Sequence, residues 1–298
     1  MPVQVQAEVL SLTRVGAYHA MTLIAPGIAE QARPGHFVAL QVGGPASSML
    51  LRRAFAIHEV AARGRYGGTV QFVFSVHGGG TQWLAERRPS DRVDVIGPLG
   101  TPFRLPRERV VATLVGGGYG AAPLLPLADA LRERGCRVDV VLGAGSSDRL
   151  FGALEAKRMS SSLTVTTDDG SAGTKGNVSD VLPRLLERTG SQALYACGPM
   201  GMLRAVAELA ESRDIPSQVA VEESMACGIG VCMTCVLPVV GSDGVTRMVR
   251  SCVEGPVFLG DRVRWADVGT VPADALGAPQ APAPAAPDEP APANVGGN

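Results

Sequence analysis

Four cysteines near the carboxyl end of the chain constrain its structure more than any other feature. Three follow the spacing Cys227-x4-Cys232-x2-Cys235, and Cys252 comes 17 positions later. This is the ligand pattern of plant-type [2Fe–2S] clusters, in which one loop carries three ligands and a separate segment carries the fourth. Two glycines inside the loop let backbone N–H groups approach the sulfurs. A structural zinc site is the alternative, although zinc sites usually present two short cysteine pairs.

The first hundred residues predict an antiparallel β-barrel. Apolar, β-branched runs alternate there with turn residues such as Pro34-Gly35 and Gly67-Gly68. Six short strands at this spacing favour a small closed barrel. We expect the strands near residues 3–11, 20–25, 36–42, 54–61, 69–76 and 93–97.

Residues 108–215 have a different character, because strand-like and helical runs alternate. The predicted helices include 123–134, 147–158, 179–188 and 200–212, each between two strand-like runs. Alternating βα units predict a parallel sheet with helices on its faces. A short cysteine-bearing segment follows at about residues 222–265.

Two glycine-rich turns follow strands of this predicted sheet. Gly116, Gly117, Gly118 and Gly120 lie in a G-x-G-x-x-A pattern between a strand and a helix. Such glycines let the backbone approach a pyrophosphate at the start of the helix. The second turn is Cys197-Gly198-Pro199-Met200, and Asp168 ends a strand between the two. Together the turns predict a nucleotide crevice, whereas Asp139 lies inside a strand and is poorly placed for a ribose.

Two weaker signals lie in the barrel. Arg52-Arg53 precede a strand, and His77-Gly78-Gly79-Gly80-Thr81 lead into a helix expected at 82–87. Arginine forks and glycine-rich turns both suit phosphate. A solvated arginine pair and a flexible hairpin loop are equally compatible with these residues.

Composition excludes several classes of protein. The net charge of −1, from 27 basic and 28 acidic residues, argues against a nucleic-acid partner, and aromatic residues are only 4% of the chain. No apolar run is long enough to predict a membrane span, and the start of the chain does not resemble a signal peptide. We therefore expect a cytoplasmic location. The Ala/Pro-rich residues 271–298 are expected to be a disordered tail.

The order of barrel, nucleotide sheet and cysteine loop resembles the ferredoxin–NADP reductase superfamily. Within it, the chain is similar to the electron-transfer subunits of bacterial type B dihydroorotate dehydrogenase. The stretches specific to that family are Glu222–Cys232 and Cys252–Phe258. The resemblance implies three segments, an FAD-binding barrel at 1–103, an NAD-binding α/β domain at 104–216 and a [2Fe–2S] module at 217–270, which the tail at 271–298 follows.

The resemblance also implies site residues. The FAD positions are Arg53, Ala54, Phe55, Ala56, Val73, Phe74, Ser75, Gly80 and Thr81. The NAD positions are Gly116, Gly117, Gly118, Gly120, Asp168, Cys197, Gly198, Pro199 and Met200, and the cluster ligands are Cys227, Cys232, Cys235 and Cys252. The family's R-P-x-S flavin motif reads Arg53-Ala54-Phe55-Ala56 here, so the usual hydroxyl contact to the flavin is missing.

The implied function is electron transfer in pyrimidine biosynthesis. A partner catalytic subunit carrying FMN oxidises dihydroorotate, and the electrons pass through the cluster and FAD to NAD, with no side chain needed as a general acid or base. The expected assembly is a heterotetramer. The first alternative is a related subunit of an NAD(P)H:ferredoxin or sulfide oxidoreductase or of a hydrogenase. The second is a zinc-bound, nucleotide-sensing regulatory protein without redox turnover.

Overall fold

The computed structural model describes residues 1–44 and 47–279. Its amino-terminal part is a closed antiparallel barrel of six strands in the order β1-β2-β5-β4-β3-β6, as predicted. The strands are β1 (Val3–Val15), β2 (Tyr18–Ile24), β3 (Phe37–Leu40), β4 (Arg53–Ala61), β5 (Thr69–Phe74) and β6 (Arg92–Leu99). Two short helices join them, α1 (Pro26–Ala29) and α2 (Gly79–Ala85). The helix expected at 82–87 therefore begins earlier, where the Thr81 hydroxyl accepts hydrogen bonds from the N–H groups of His77 and Gly78.

The nucleotide half is a seven-stranded sheet in the order β10-β9-β8-β7-β11-β12-β15. Every neighbouring pair is parallel except β12 with β15. The strands are β7 (Val111–Gly117), β8 (Arg137–Ala144), β9 (Ser162–Thr167), β10 (Thr174–Lys175), β11 (Ala193–Cys197), β12 (Ser217–Ala220) and β15 (Val257–Leu259). The helices are α3 (Leu124–Glu133), α4 (Ala153–Met159), α5 (Val178–Thr189) and α6 (Met200–Glu211).

Local signals explain where these helices begin and end. Helix α5 begins after Asn177, whose N–H donates to the Asp180 carboxylate at 2.8 Å, and it ends at Gly190 in the left-handed conformation. The predicted helix 147–158 is instead a 3-10 turn (Ser147–Arg149) followed by α4. Gly152 has φ +70 and divides the two, because an L side chain rarely adopts that conformation.

A hairpin and two 3-10 turns complete the cysteine-bearing segment. Strands β13 (Val236–Val240) and β14 (Thr246–Arg250) form a separate two-stranded sheet. Further 3-10 turns cover Gly118–Ala121, Gly260–Arg262 and Trp265–Asp267. Within the two described ranges, no helix has the length and apolar character needed to cross a membrane.

The beginning of the expected tail is ordered against this hairpin, which corrects the prediction of disorder from residue 271. The Leu276 N–H donates to the Thr246 carbonyl at 2.8 Å, and Ala275 is buried. Asp274 pairs with Arg264 at 2.6 Å. The part of the prediction that concerns 280–298 lies outside the described residues.

Candidate functional site

A cavity of about 350 Å³ lies between the barrel and the sheet. Seven of the nine FAD positions line it: Ala54, Phe55, Ala56, Val73, Phe74, Ser75 and Thr81. Residues from the other half of the molecule close it, among them Tyr119, Gly120, Cys197 and Glu222. The cavity is mostly apolar with a few convergent polar groups, as cofactor sites usually are.

The other two FAD positions lie next to each other. A Cβ added to Gly80 would come within 2.8 Å of Arg53 Nε, so the absence of a side chain allows the guanidinium to lie against this turn. Arg53 Nη1 donates to the Leu51 carbonyl at 2.7 Å. Its neighbour Arg52 has a different environment, because it pairs with Asp94 at 2.6 Å across the barrel wall. Only Arg53 of the arginine pair is therefore placed beside the glycine-rich turn.

A second cavity of about 510 Å³ opens at the carboxyl edge of the sheet. Four of the predicted NAD positions line it: Gly117, Gly118, Asp168 and Pro199. Gly120 and Cys197 instead line the barrel-side cavity, and Gly116, Gly198 and Met200 lie in neither wall. Asp139 is fully buried inside β8, as its position in the strand predicted.

The two glycine-rich turns pack directly against each other. A Cβ on Gly120 would lie 2.8 Å from both the Cys197 carbonyl oxygen and Gly198 Cα. A Cβ on Gly117 would lie 2.7 Å from Pro199 Cδ. The glycines of the first turn therefore provide clearance for the second turn as well as for a ligand.

The two cavities meet at Tyr119 and Glu222, which line both of them. Burial raises the pKa of Glu222, and it raises the pKa of Tyr119 to about 12, with a further contribution from the Glu222 charge. Tyr18 reaches this junction from the barrel, with its ring centroid 5.4 Å from that of Tyr119. Burial and the Glu222 charge also keep the pKa of the Cys197 thiol well above its usual range. All three shifts favour the protonated form of the group.

Glu222 and Tyr18 were not among the predicted site residues. Glu222 directly follows the residue after β12, so its place at the carboxyl edge of the sheet was a usable signal. Tyr18 begins a barrel strand and approaches the nucleotide cavity only through tertiary packing, with its hydroxyl donating to the Arg149 carbonyl at 2.9 Å. No sequence pattern indicates that contact.

The four cysteines lie in two different settings. Cys235 and Cys252 are buried, whereas Cys227 is half-buried and Cys232 is exposed. Four thiol donors, three in one loop and one from a separate segment, are the ligand set of a plant-type [2Fe–2S] cluster, whereas structural zinc sites usually present two short cysteine pairs. The donor set therefore fits the cluster better than zinc.

The ligand loop supplies further groups suited to an iron–sulfur cluster. The N–H groups of Ile229 and Val231 point at the Cys227 sulfur, at 3.5 and 3.3 Å. Hydrogen bonds, chiefly from Thr234, lower the pKa of Cys232 to about 6, whereas burial raises the pKa of Cys252 to about 12. Thiolates are the form that binds metal, and backbone N–H groups at the sulfurs stabilise their negative charge.

The cysteines lie beside the barrel-side cavity. Cys235 and Cys252 pack in one apolar cluster with Phe37, Ala54 and Met225. Those last three residues also line the cavity. The structure therefore has a continuous series: the cysteines, the barrel-side cavity and the nucleotide cavity, each sharing residues with the next.

Comparisons with known proteins identify two segments. A family model described as the iron-sulfur cluster binding domain of dihydroorotate dehydrogenase B matches residues 222–264. A model described as the oxidoreductase NAD-binding domain matches residues 114–208. These matches confirm an oxidoreductase and contradict the alternative of a regulatory protein without redox turnover.

Similar proteins cover most of the chain. The electron transfer subunit of dihydroorotate dehydrogenase B (NAD(+)) of Desulforamulus reducens is 36% identical over 260 residues, 87% of this chain and 97% of that one. The corresponding subunit of Bacillus caldolyticus is 40% identical over 243 residues, 80% of this chain and 90% of that one.

Solved structures confirm the predicted fold class. A chain of an NADH-dependent reduced ferredoxin-NADP oxidoreductase superposes with a TM-score of 0.76 at 31% identity, covering 89% of this chain and 91% of that one. A cytochrome P450 reductase from Amycolatopsis, at 22% identity and a TM-score of 0.56, shares the fold. With the relatives above, these findings show that the chain belongs to the family of electron transfer subunits of dihydroorotate dehydrogenase B.

Proposed function

We propose that this chain carries electrons from an FMN-containing catalytic subunit, which oxidises dihydroorotate, through a [2Fe–2S] cluster and FAD to NAD. The observation that supports this order is the series of shared residues between the cysteines and the two cavities. Cofactors supply the redox chemistry in such a protein, and the chain supplies their orientation and environment. The reaction serves pyrimidine biosynthesis.

The barrel-side cavity is the proposed FAD site. Ala54, Phe55, Ala56, Val73, Phe74 and Ser75 form the walls for the isoalloxazine ring. Arg53 binds the FAD phosphate beside Gly80 and Thr81, because a guanidinium fork donates parallel hydrogen bonds to phosphate oxygens. Ala56 offers no hydroxyl to the flavin, so shape and apolar contact supply the remaining affinity.

The nucleotide cavity is the proposed NAD site. Gly116, Gly117, Gly118 and Gly120 allow the backbone to approach the pyrophosphate, and the Asp168 carboxylate accepts hydrogen bonds from a ribose hydroxyl. Cys197, Gly198, Pro199 and Met200 form the turn that directs the nicotinamide toward the junction. Tyr119 and Glu222 border the place where the two rings meet.

The proposed cluster ligands are the four cysteines Cys227, Cys232, Cys235 and Cys252, which would together hold its two irons. The fold places Cys235 and Cys252 in one apolar cluster with residues of the barrel-side cavity. We assign residues 1–103 to the FAD-binding barrel, 104–216 to the NAD-binding domain and 217–270 to the cluster module.

The catalytic subunit is proposed to dock on the exposed side of the ligand loop. Ile229, Val231, Met233 and Val253 are large apolar side chains that remain exposed there, and Val231 is 76% exposed. A group of exposed apolar side chains is typical of a protein interface. Docking at this loop would put the donor of single electrons next to the cluster. Two copies of each chain make the proposed heterotetramer, in the cytoplasm.

Reconstitution tests the proposal directly. The chain is co-expressed with an FMN-containing dihydroorotate dehydrogenase catalytic subunit, purified as a complex, and assayed for NAD reduction by dihydroorotate. We expect NADH to form only when both subunits are present. A stable complex that reduces a dye with dihydroorotate but forms no NADH would contradict the proposed path.

A second candidate is a subunit of an NADH-linked ferredoxin oxidoreductase, which the structural similarity to such an enzyme supports. The same preparation distinguishes the two. Reduced ferredoxin would then support NAD reduction in the absence of the dihydroorotate-oxidising subunit, which the first proposal does not allow.

A further inference from the structure

Arg250 is the last residue of β14 and lies two positions before Cys252. Its Nη1 donates to the carbonyl oxygen of Gly230, in the middle of the ligand loop, at 2.9 Å. Its Nη2 pairs with Glu254 at 3.0 Å, and its backbone N–H donates to the other Glu254 oxygen at 3.0 Å. The guanidinium is thus held between the ligand loop and the segment that carries the fourth cysteine.

Arg250 also lies beside the cysteine-bearing segments. Its guanidinium is held at Gly230, between Cys227 and Cys232, and its backbone is two residues from the buried Cys252. The negative charge of Glu254 lies on the same guanidinium and partly offsets it. Any group that Cys235 and Cys252 hold therefore lies near a fixed cation, the Arg250 guanidinium, and near its paired anion, the Glu254 carboxylate.

We propose that Arg250 is a positioning residue that raises the reduction potential of the cluster, and that Glu254 limits this effect. Each reduction adds one electron to the cluster and makes it one unit more negative, with no bond formed or broken. A fixed positive charge stabilises the more negative state, and net charge near the cluster is one determinant of its potential. The inference rests on the cluster ligands alone and holds whichever partner supplies the electrons.

The size of the effect follows from exposure. The Arg250 side chain is 34% exposed, so solvent screens its charge well below the value for a buried pair. We expect removal of the charge to lower the equilibrium constant for reduction of the cluster about tenfold, which corresponds to a fall of about 59 mV in the potential for one electron. Removal of the Glu254 charge should shift the potential in the opposite direction by a smaller amount.

The experiment is an EPR-monitored redox titration of the purified full chain, with iron and flavin contents measured for every variant. Arg250→Gln should lower the potential, and Arg250→Lys should stay near wild type because it keeps the charge. Glu254→Gln should raise the potential. Arg247→Gln is the matched control, since this arginine of the same strand pairs with Asp243.

Two results would overturn the proposal. The first is an unchanged potential in Arg250→Gln with full iron content. The second is an equal fall in Arg250→Gln and Arg250→Lys, which would mean that the hydrogen bonds to the loop matter and the charge does not. If Arg250→Gln loses the cluster, Glu254→Gln still decides: a potential in that variant at or below wild type contradicts the proposed role.

Discussion

Gly120 marks the closest approach of the two glycine-rich turns, and replacing it with alanine should impair hydride transfer. The added Cβ would lie 2.8 Å from the Cys197 carbonyl oxygen and from Gly198 Cα. Both are backbone atoms and cannot rotate away, so one turn must move by about half an ångström to restore ordinary contact. Gly120→Ala therefore changes the position of the turn proposed to direct the nicotinamide.

The expected magnitude has two parts. Overpacking of this kind costs about 1–3 kcal/mol of folding stability. A misplacement of about 1 Å in a reacting pair can cost about 100-fold in rate, so half that distance predicts a loss of about tenfold in kcat/KM for NADH. We would measure NADH-dependent dye reduction per bound flavin, together with the free energy of unfolding from urea titration.

Gly201→Ala is the matched control. Gly201 borders the nucleotide cavity in the second turn, and outside its own helix and chain neighbours no atom lies within 4 Å of its added Cβ. We expect this variant to keep nearly all of its activity. If Gly120→Ala keeps full flavin and a kcat/KM within twofold of wild type, the close approach of the turns is not needed for hydride transfer and the reasoning is refuted.

Three further predictions concern the other sites. Cys232→Ser should lose the cluster and electron flow from the partner while keeping NADH-to-dye activity through FAD; simultaneous loss of both activities in a folded variant would refute the proposed order of carriers. Arg53→Ala should lower the FAD content of the purified protein, with Arg63→Ala as the control, and a normal content would exclude Arg53 from the phosphate site. Burial lowers the pKa of His36 from 6.5 to about 4, and its Nδ1 accepts the Arg33 N–H at 3.0 Å. Protonation of His36 is therefore less favourable in the folded protein than in the unfolded chain. Its contribution to the free energy of unfolding is complete above pH 6.5, and that free energy falls by about 2 kcal/mol at pH 5. Urea unfolding at pH 7 and 5 should show that difference in wild type and lose it in His36→Gln.

The predictable parts of this molecule are those in which local chemistry restricts residue identity. Cys227, Cys232 and Cys235 are recognisable because metal ligation demands thiolates at fixed spacing. The strand–turn–helix around Gly116–Gly120 is recognisable because only glycine allows such close backbone approach. Each of these two signals lies within its own short segment, so a single sequence is sufficient to find it.

The parts that escaped prediction depend on contacts between distant segments. Tyr18 reaches the nucleotide cavity from a barrel strand, and Asp274 forms an ion pair with Arg264 across a turn. Hairpin β13–β14 was also missed, and its strands are short and partly exposed. None of these features leaves a periodic pattern, so composition and spacing could not indicate them.

Strand β15 has a consequence for how this protein can be altered. It lies downstream of the last cysteine, yet it pairs with β12 as the outermost strand of the nucleotide sheet. The preceding Pro256 accepts the Val221 N–H at 2.9 Å, and Gly255 accepts the Thr101 N–H from the end of the barrel. The iron–sulfur segment is therefore not a cassette that can be exchanged between proteins by cutting at its ends. A chimaera would need a donor segment whose last strand completes the sheet of its host.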